Sequence, residues 1–143
     1  MPYRYREDIA IADAAFDAWG ESLEELFVAV CDAAVNVMIE NLEDIEALKN
    51  FPLHLKSTNI EMLLFSLLEE IIFLKDAETL LLRVSNIDIT HGESSVSLDA
   101  KVYGEKIDSG KHNLNVDVKA VTLHRFKVEQ NTDGWNATVV LDI

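Results

Sequence analysis

The sequence has little cysteine, proline or glycine: one, two and five residues respectively among 143. A single cysteine, Cys31, excludes an intramolecular disulfide. It falls on the apolar stripe of a predicted helix, where a thiol acts as a small buried hydrophobe rather than a nucleophile. The scattered glycines form no phosphate-cradling loop and no Gly-x-Ser-x-Gly elbow. His54, His91, His112 and His124 have no metal-binding spacing, so each reads as a surface or hydrogen-bonded structural histidine. The most apolar stretch, Met62 to Leu74, is interrupted by Glu69-Glu70 and is too short to span a bilayer. The first eight residues, Met1 to Asp8, lack an apolar signal core, so a cytoplasmic protein is expected. Positive charge is also scarce. Twelve Lys and Arg stand against 26 Asp and Glu, for a net charge of −14. Such a surface repels phosphate backbones, so direct nucleic-acid binding is not expected. It suits a basic protein surface or cations.

What is present is an ordinary globular composition, 49% apolar and 27% charged, of a length that suits one domain over residues 1–143. Ser22-Leu23-Glu24-Glu25 reads as a capping box opening a helix. Leu23, Leu26, Phe27, Val30, Cys31, Ala34, Val37 and Met38 then recur at helical spacing, with Asp32 off the stripe. A linker is expected from about Glu43 to Ser57, broken by Pro52. Thr58-Asn59-Ile60-Glu61 reads as a second capping box. Leu63, Leu64, Leu67, Leu68, Ile71 and Ile72 give the following helix a broad apolar face, with Lys75-Asp76 at its exit.

The period then changes to two. Leu80 to Val84 is a short strand candidate. Val96, Leu98, Ala100 and Val102 alternate with polar residues up to Gly104, which is expected to end the strand. Leu114 to Val118, Val121 to Val128 and Trp135 to Leu141 are further candidates, with Thr132-Asp133-Gly134 as a hairpin turn. Near the N-terminus, Ala12, Ala14, Phe16 and Ala18 alternate in the same way. The expected fold is α+β: two main helices packed on a largely antiparallel sheet, with a mixed sheet as the alternative.

Two carboxylates stand out. Asp13 interrupts an apolar run, and Asp142 closes Val139-Val140-Leu141-Asp142-Ile143. Aspartate is a poor strand residue, and strand alternation allows each to face solvent. If the two strands are neighbours, however, the aspartates converge, and the terminal carboxylate of Ile143 adds oxygens. Hard divalent cations take such ligands. Lys119, Thr122, Glu105, His112 and His124 are second-tier candidates, none of them read as catalytic.

Four motifs in order resemble the archease family over nearly the whole chain. The family's Gly-x-Ser-Leu-Glu-Glu-x-Phe pattern stands here as Gly20 to Phe27. Its Leu-Leu-Phe-x-Trp-Leu-Asn-Glu pattern stands as Leu63 to Glu70. Lys-Ala-x-Thr-x-His is Lys119 to His124, and the Gly-Trp…Asp-Ile ending is Gly134 to Ile143. The sequence departs from the family at Ala10, where a histidine is usual, and at Leu67 and Glu69, where Trp and Asn are usual.

The resemblance implies a protein that is not itself an enzyme and has no catalytic residues. Its partner would be the catalytic subunit of the tRNA-splicing RNA ligase, in the cytoplasm. It would promote guanylylation of the ligase's active-site histidine, allow multiple turnover and broaden nucleotide use. The family's metal site aligns with Asp13, Asp142 and Ile143, for a divalent metal: Ca²⁺ first, with Mg²⁺ and Mn²⁺ as alternatives. The rival readings are a small metal-dependent hydrolase, which would need more ligands and a positioned base, and a chaperone-like interaction module.

Overall fold

The computed structural model describes residues 2–7 and 13–143. The chain runs β1 (Tyr3–Arg6), β2 (Asp13–Gly20), α1 (Leu23–Met38), β3 (Lys49–Ser57), α2 (Ile60–Glu78), β4 (Leu80–His91), β5 (Val96–Lys106), β6 (Ala120–Asn131) and β7 (Gly134–Asp142). The strands form two sheets, β1-β2-β7-β6 and β3-β5-β4. Every pairing is antiparallel. The α+β class is as expected, but the single sheet becomes two. Each helix touches strands of both sheets, and one apolar cluster joins them.

Helix α1 begins as its sequence predicts. The Ser22 hydroxyl accepts the Glu25 N–H at 3.1 Å, and the Glu25 carboxylate accepts the Ser22 N–H in return, so two orphan helix donors are satisfied. Leu26, Phe27, Val30, Cys31 and Ala34 are all at most 1% exposed. Burial raises the Cys31 thiol pKa well above its ordinary value, with the Asp32 carboxylate adding to the effect, which keeps it protonated and inert.

Helix α2 starts one residue later than the capping-box reading. Asn59 is the N-cap, and its side-chain oxygen accepts the Met62 N–H at 2.9 Å. That shift takes Glu61 out of the box position. Its carboxylate accepts the Val128 N–H of β6 instead, at 3.0 Å, and so ties helix to sheet.

The linker expected around Pro52 is largely a strand. Proline cannot donate to a ladder, but β3 lies at a sheet edge, where no partner is needed on its outer side. The strand expected over Leu114 to Val118 does not form. Leu114 makes one isolated bridge to Ile39, and the segment clasps the end of α1 through Glu40 N–H to Asn113 O and Asn115 N–H to Met38 O. Leu114 and Val116 are 41% and 46% exposed, so their alternation follows no core. Strand β1 was not evident from the sequence. Its Tyr3 and Tyr5 hydroxyls reach α1, donating to Asn36 Oδ1 and Ala33 O.

Hairpin β6–β7 turns on Thr132-Asp133, as expected. Gly134 follows at φ 139°, a conformation open mainly to glycine. Between Thr122 and Lys127, β6 advances five residues while β7 goes back only from Val140 to Thr138. The resulting bulge includes Arg125 at φ 56°.

Gly104 does not end β5. The strand runs on to Lys106, and a Cβ at Gly104 would lie 1.9 Å from the Leu81 carbonyl oxygen of β4. Gly104→Ala is therefore expected to force β4 and β5 apart and to lower unfolding free energy by about 2–4 kcal/mol, measurable as a reduced urea midpoint.

Candidate functional site

Antiparallel pairing of β2 with β7 sets Asp13 directly opposite Asp142, each as the other's register partner. Opposite residues of an antiparallel pair project to the same face, their Cβ atoms about 5 Å apart. Asp13 is half-buried, Asp142 exposed and Ile143 half-buried. The backbone of Asp142 is held from both flanks. On one side it pairs with Asp13, on the other with Ala120 of β6, and its carbonyl accepts the Lys119 N–H at 2.8 Å.

Among the described residues, no ion pair or side-chain hydrogen bond engages either carboxylate. Two like charges in this arrangement repel, and a hard cation would relieve them. The donor set fits such an ion in kind, being all oxygen. It is incomplete in number. Among the described residues, no group of three or more His, Cys, Asp or Glu converges that could hold a metal. Main-chain oxygens, water or a partner's groups would have to fill the remaining positions. Ala10, where the family usually has histidine, lies outside the described residues.

The second-tier candidates divide. Lys119 is exposed at the foot of β6 and lines a cavity of about 240 Å³ with Glu69, Phe73 and Asp76. Thr122 donates its hydroxyl to Val140 O at 3.1 Å. His124 stands exposed in the β6 bulge. The four histidines do not meet; His54 pairs with Asp99 across β3 and β5 at 2.8 Å.

Glu105 and His112 do meet, in a polar node at the end of β5. The Asp108 N–H donates to His112 Nδ1 at 2.9 Å, which assigns the ring proton to Nε2, 3.1 Å from Glu105. Glu105 also accepts the Glu46 N–H at 2.6 Å and pairs with Lys111 at 2.8 Å. Lys111 in turn pairs with Glu46. The Glu46 amide, followed by Lys111 and then His112, overcomes the cost of burial and holds the Glu105 pKa down at about 2. With its acceptor sites occupied, this carboxylate is a structural tie.

A second node centres on Lys75, which the sequence places only at a helix exit. Its ammonium is buried and donates to Asp117 at 2.6 Å and Val118 O at 2.8 Å, and it pairs with Asp76. Burial opposes the charge, but the bonds to Asp117 and Asp76 outweigh it and raise the Lys75 pKa. Its spacing from Ile71 and Ile72 on the apolar face is the signal for a buried lysine. Arg83 likewise grips Asp32 through two bonds of 3.1 and 3.0 Å.

Two helices over antiparallel sheets, with paired carboxylates at a strand end, describe a small α+β protein. The Archease protein family (MTH1598/TM1083) matches residues 3–143. The protein archease of Pyrococcus abyssi is 38% identical over 133 residues, covering 92% of this chain and 93% of that one. The solution structure of Methanobacterium thermoautotrophicum protein 1598 superposes with a TM-score of 0.84 at 29% identity, covering 99% of each chain. A Thermotoga maritima crystal structure, described as an archease and possible chaperone, shares the fold with a TM-score of 0.60 at 19% identity, covering 96% of this chain and 97% of that one. The chain belongs to the archease family. Among the described residues, no helix is long and apolar enough to cross a membrane.

The Glu105 node makes a pH-dependent contribution. Its folded pKa of about 2 lies below the ordinary 4.5, so the unfolded chain takes up the proton first as pH falls. The contribution is full above about 4.5 and is lost progressively toward pH 2. Urea midpoints of Glu105→Gln are expected to vary less across that window than those of the wild type.

Proposed function

We propose that this protein is a non-catalytic activator of the RNA ligase that joins tRNA halves in splicing, promoting guanylylation of the ligase's active-site histidine and multiple turnover. The observation that carries this reading is the facing pair Asp13 and Asp142 at the end of two adjacent interior strands in an archease-family chain. The two carboxylates, with main-chain oxygen from Ile143, would hold a divalent cation, Ca²⁺ before Mg²⁺ or Mn²⁺. Ca²⁺ accepts irregular and partly solvated oxygen sets, whereas Mg²⁺ requires near-octahedral geometry. A bound ion would supply positive charge that offsets the repulsion between Asp13 and Asp142 across β2 and β7.

The protein's own contribution is placement. β2 and β7 keep the two carboxylates at one height, and the Lys119 amide keeps the backbone of Asp142 from turning away. An acidic exterior suits docking against a basic, RNA-binding surface of the ligase. A hydrolytic role is not supported, because such a centre needs further ligands and a positioned base.

The test is ligase guanylylation with and without this protein, then with Asp13→Ala and Asp142→Ala. Stimulation by the wild type and its loss in both variants is the expected result. No stimulation by the wild type ends the activator reading; full stimulation by both variants ends the role of the carboxylate pair.

A second measurement needs no ligase. Neutralising one of two like charges directly opposite each other in a sheet should stabilise the metal-free protein by about 0.2–1 kcal/mol. Asp142→Asn in chelator is thus expected to unfold slightly later than the wild type. Added Ca²⁺ should raise the wild-type Tm and leave that of the variant unchanged.

The description of the Thermotoga maritima protein as a possible chaperone supports a second reading. Phe73 and Leu123, 59% and 62% exposed, offer apolar surface for clients. Suppressed aggregation of an unrelated protein, unaffected by Asp142→Ala, would favour that reading over a dedicated ligase partner.

A further inference from the structure

A groove of about 610 Å³ runs beside the N-terminal turn of α1, and among the described residues every ionisable one that lines it is acidic. Two of its carboxylates are committed. Glu25 accepts backbone N–H groups of the helix cap, and Asp32 is gripped by Arg83. Glu21 and Glu24 have no ion pair or side-chain hydrogen bond among the described residues. The rest of the lining is largely apolar and includes Val28, Ile87 and Trp19, which is 45% exposed. Trp19 has no aromatic partner among the described residues.

An apolar trough edged by unpaired carboxylates selects for a side chain with an apolar stem and a cationic head. Arginine fits better than lysine. Its guanidinium is planar, weakly hydrated and able to bond carboxylates through two donors, and it stacks on indole faces. A phosphate-bearing ligand is disfavoured by the same charges.

We propose that this groove docks an arginine-bearing apolar segment of a partner protein, as a contact separate from the Asp13–Asp142 pair. Trp19 and Asp13 lie at opposite ends of β2, about 20 Å apart at a strand rise of roughly 3.3 Å per residue. A partner touching both ends would be oriented as well as bound. The groove does not depend on the cation reading.

The experiment titrates the full-length protein with the blocked peptide Ac-Leu-Arg-Leu-NH₂ and follows ¹H–¹⁵N spectra, including the Trp19 indole N–H. The glutamate analogue Ac-Leu-Glu-Leu-NH₂ is the control, and Glu21→Gln/Glu24→Gln is the test variant. Glu21 is exposed and Glu24 half-buried, and the variant's own spectrum reports whether its fold is intact. Saturable shifts at Trp19, Val28 and Ile87 with the arginine peptide are expected, weakened about fivefold or more in the double variant and reduced by added salt. The proposal is overturned by the absence of saturable shifts, by shifts spread evenly over the acidic surface, by equal binding of the glutamate peptide, or by unchanged affinity in the double variant.

Discussion

Much of this structure depends on the register between β2 and β7, which joins one of the first elements of the chain to the last. β7 is an interior strand, paired with β2 on one side and β6 on the other. Its Ala137, Val139 and Leu141 point into the shared core, as do Phe16 and Ala18 of β2. Strand side chains alternate with a period of two, so a slip by one residue would turn Phe16 outward and Asp17 inward. The core therefore excludes such a slip, and in the observed register Asp13 meets Asp142. The facing carboxylates follow from how Phe16 and Val139 are buried. Their mutual repulsion is a local cost that the surrounding apolar contacts tolerate.

The same logic explains what could be read in the sequence. Where a segment has one apolar face against the core, its period reports its structure: α1, α2, β5 and β7 were legible for that reason. Asp13 and Asp142 were legible as misfits within such patterns. Segments governed by other forces were not. Pro52 suggested a break because the pattern does not reveal which strand is an edge. Leu114 to Val118 alternates as a strand would, yet is held by backbone bonds to the end of α1 and by Lys75. Gly104 resembled a terminator because the approach of the Leu81 carbonyl is a property of the neighbouring strand. The Glu105–His112 node joins residues seven apart, but a charged residue and a histidine at that spacing have no distinctive signature.

Two polar nodes give the irregular segment between β5 and β6 its shape, which matters for the paired aspartates. Glu105, Lys111 and His112 hold its beginning, and Lys75 holds Asp117 and the Val118 carbonyl near its end. Lys119 follows at once, and its amide binds the Asp142 carbonyl. The path from a buried helical lysine to the Asp142 backbone thus runs through consecutive positions, 117 to 119. Buried charges rarely add net stability over apolar replacements of the same shape, but they penalise alternative arrangements that leave a charge unmatched. Here such matching selects one path for a segment that has no sheet or helix to guide it.

The excess of acid is best understood through the scarcity of cations. Of twelve basic side chains, Arg4, Arg6, Lys75, Arg83, Lys111 and Lys127 pair with carboxylates inside the fold. The Arg4 and Arg6 pairs tie β1 to β2, the Arg83 pair ties β4 to α1, and Lys75 and Lys111 anchor the irregular segment between β5 and β6, so few counter-charges remain for the surface. Negative charge therefore remains uncompensated where no fold contact needs it: at Asp13 and Asp142 on one end of β2, and at Glu21 and Glu24 beyond the other. A uniformly acidic exterior would serve solubility alone. Uncompensated carboxylates fixed by a strand register at one end, and set beside an indole in a groove at the other, are instead positioned to be met by positive charge from outside the chain.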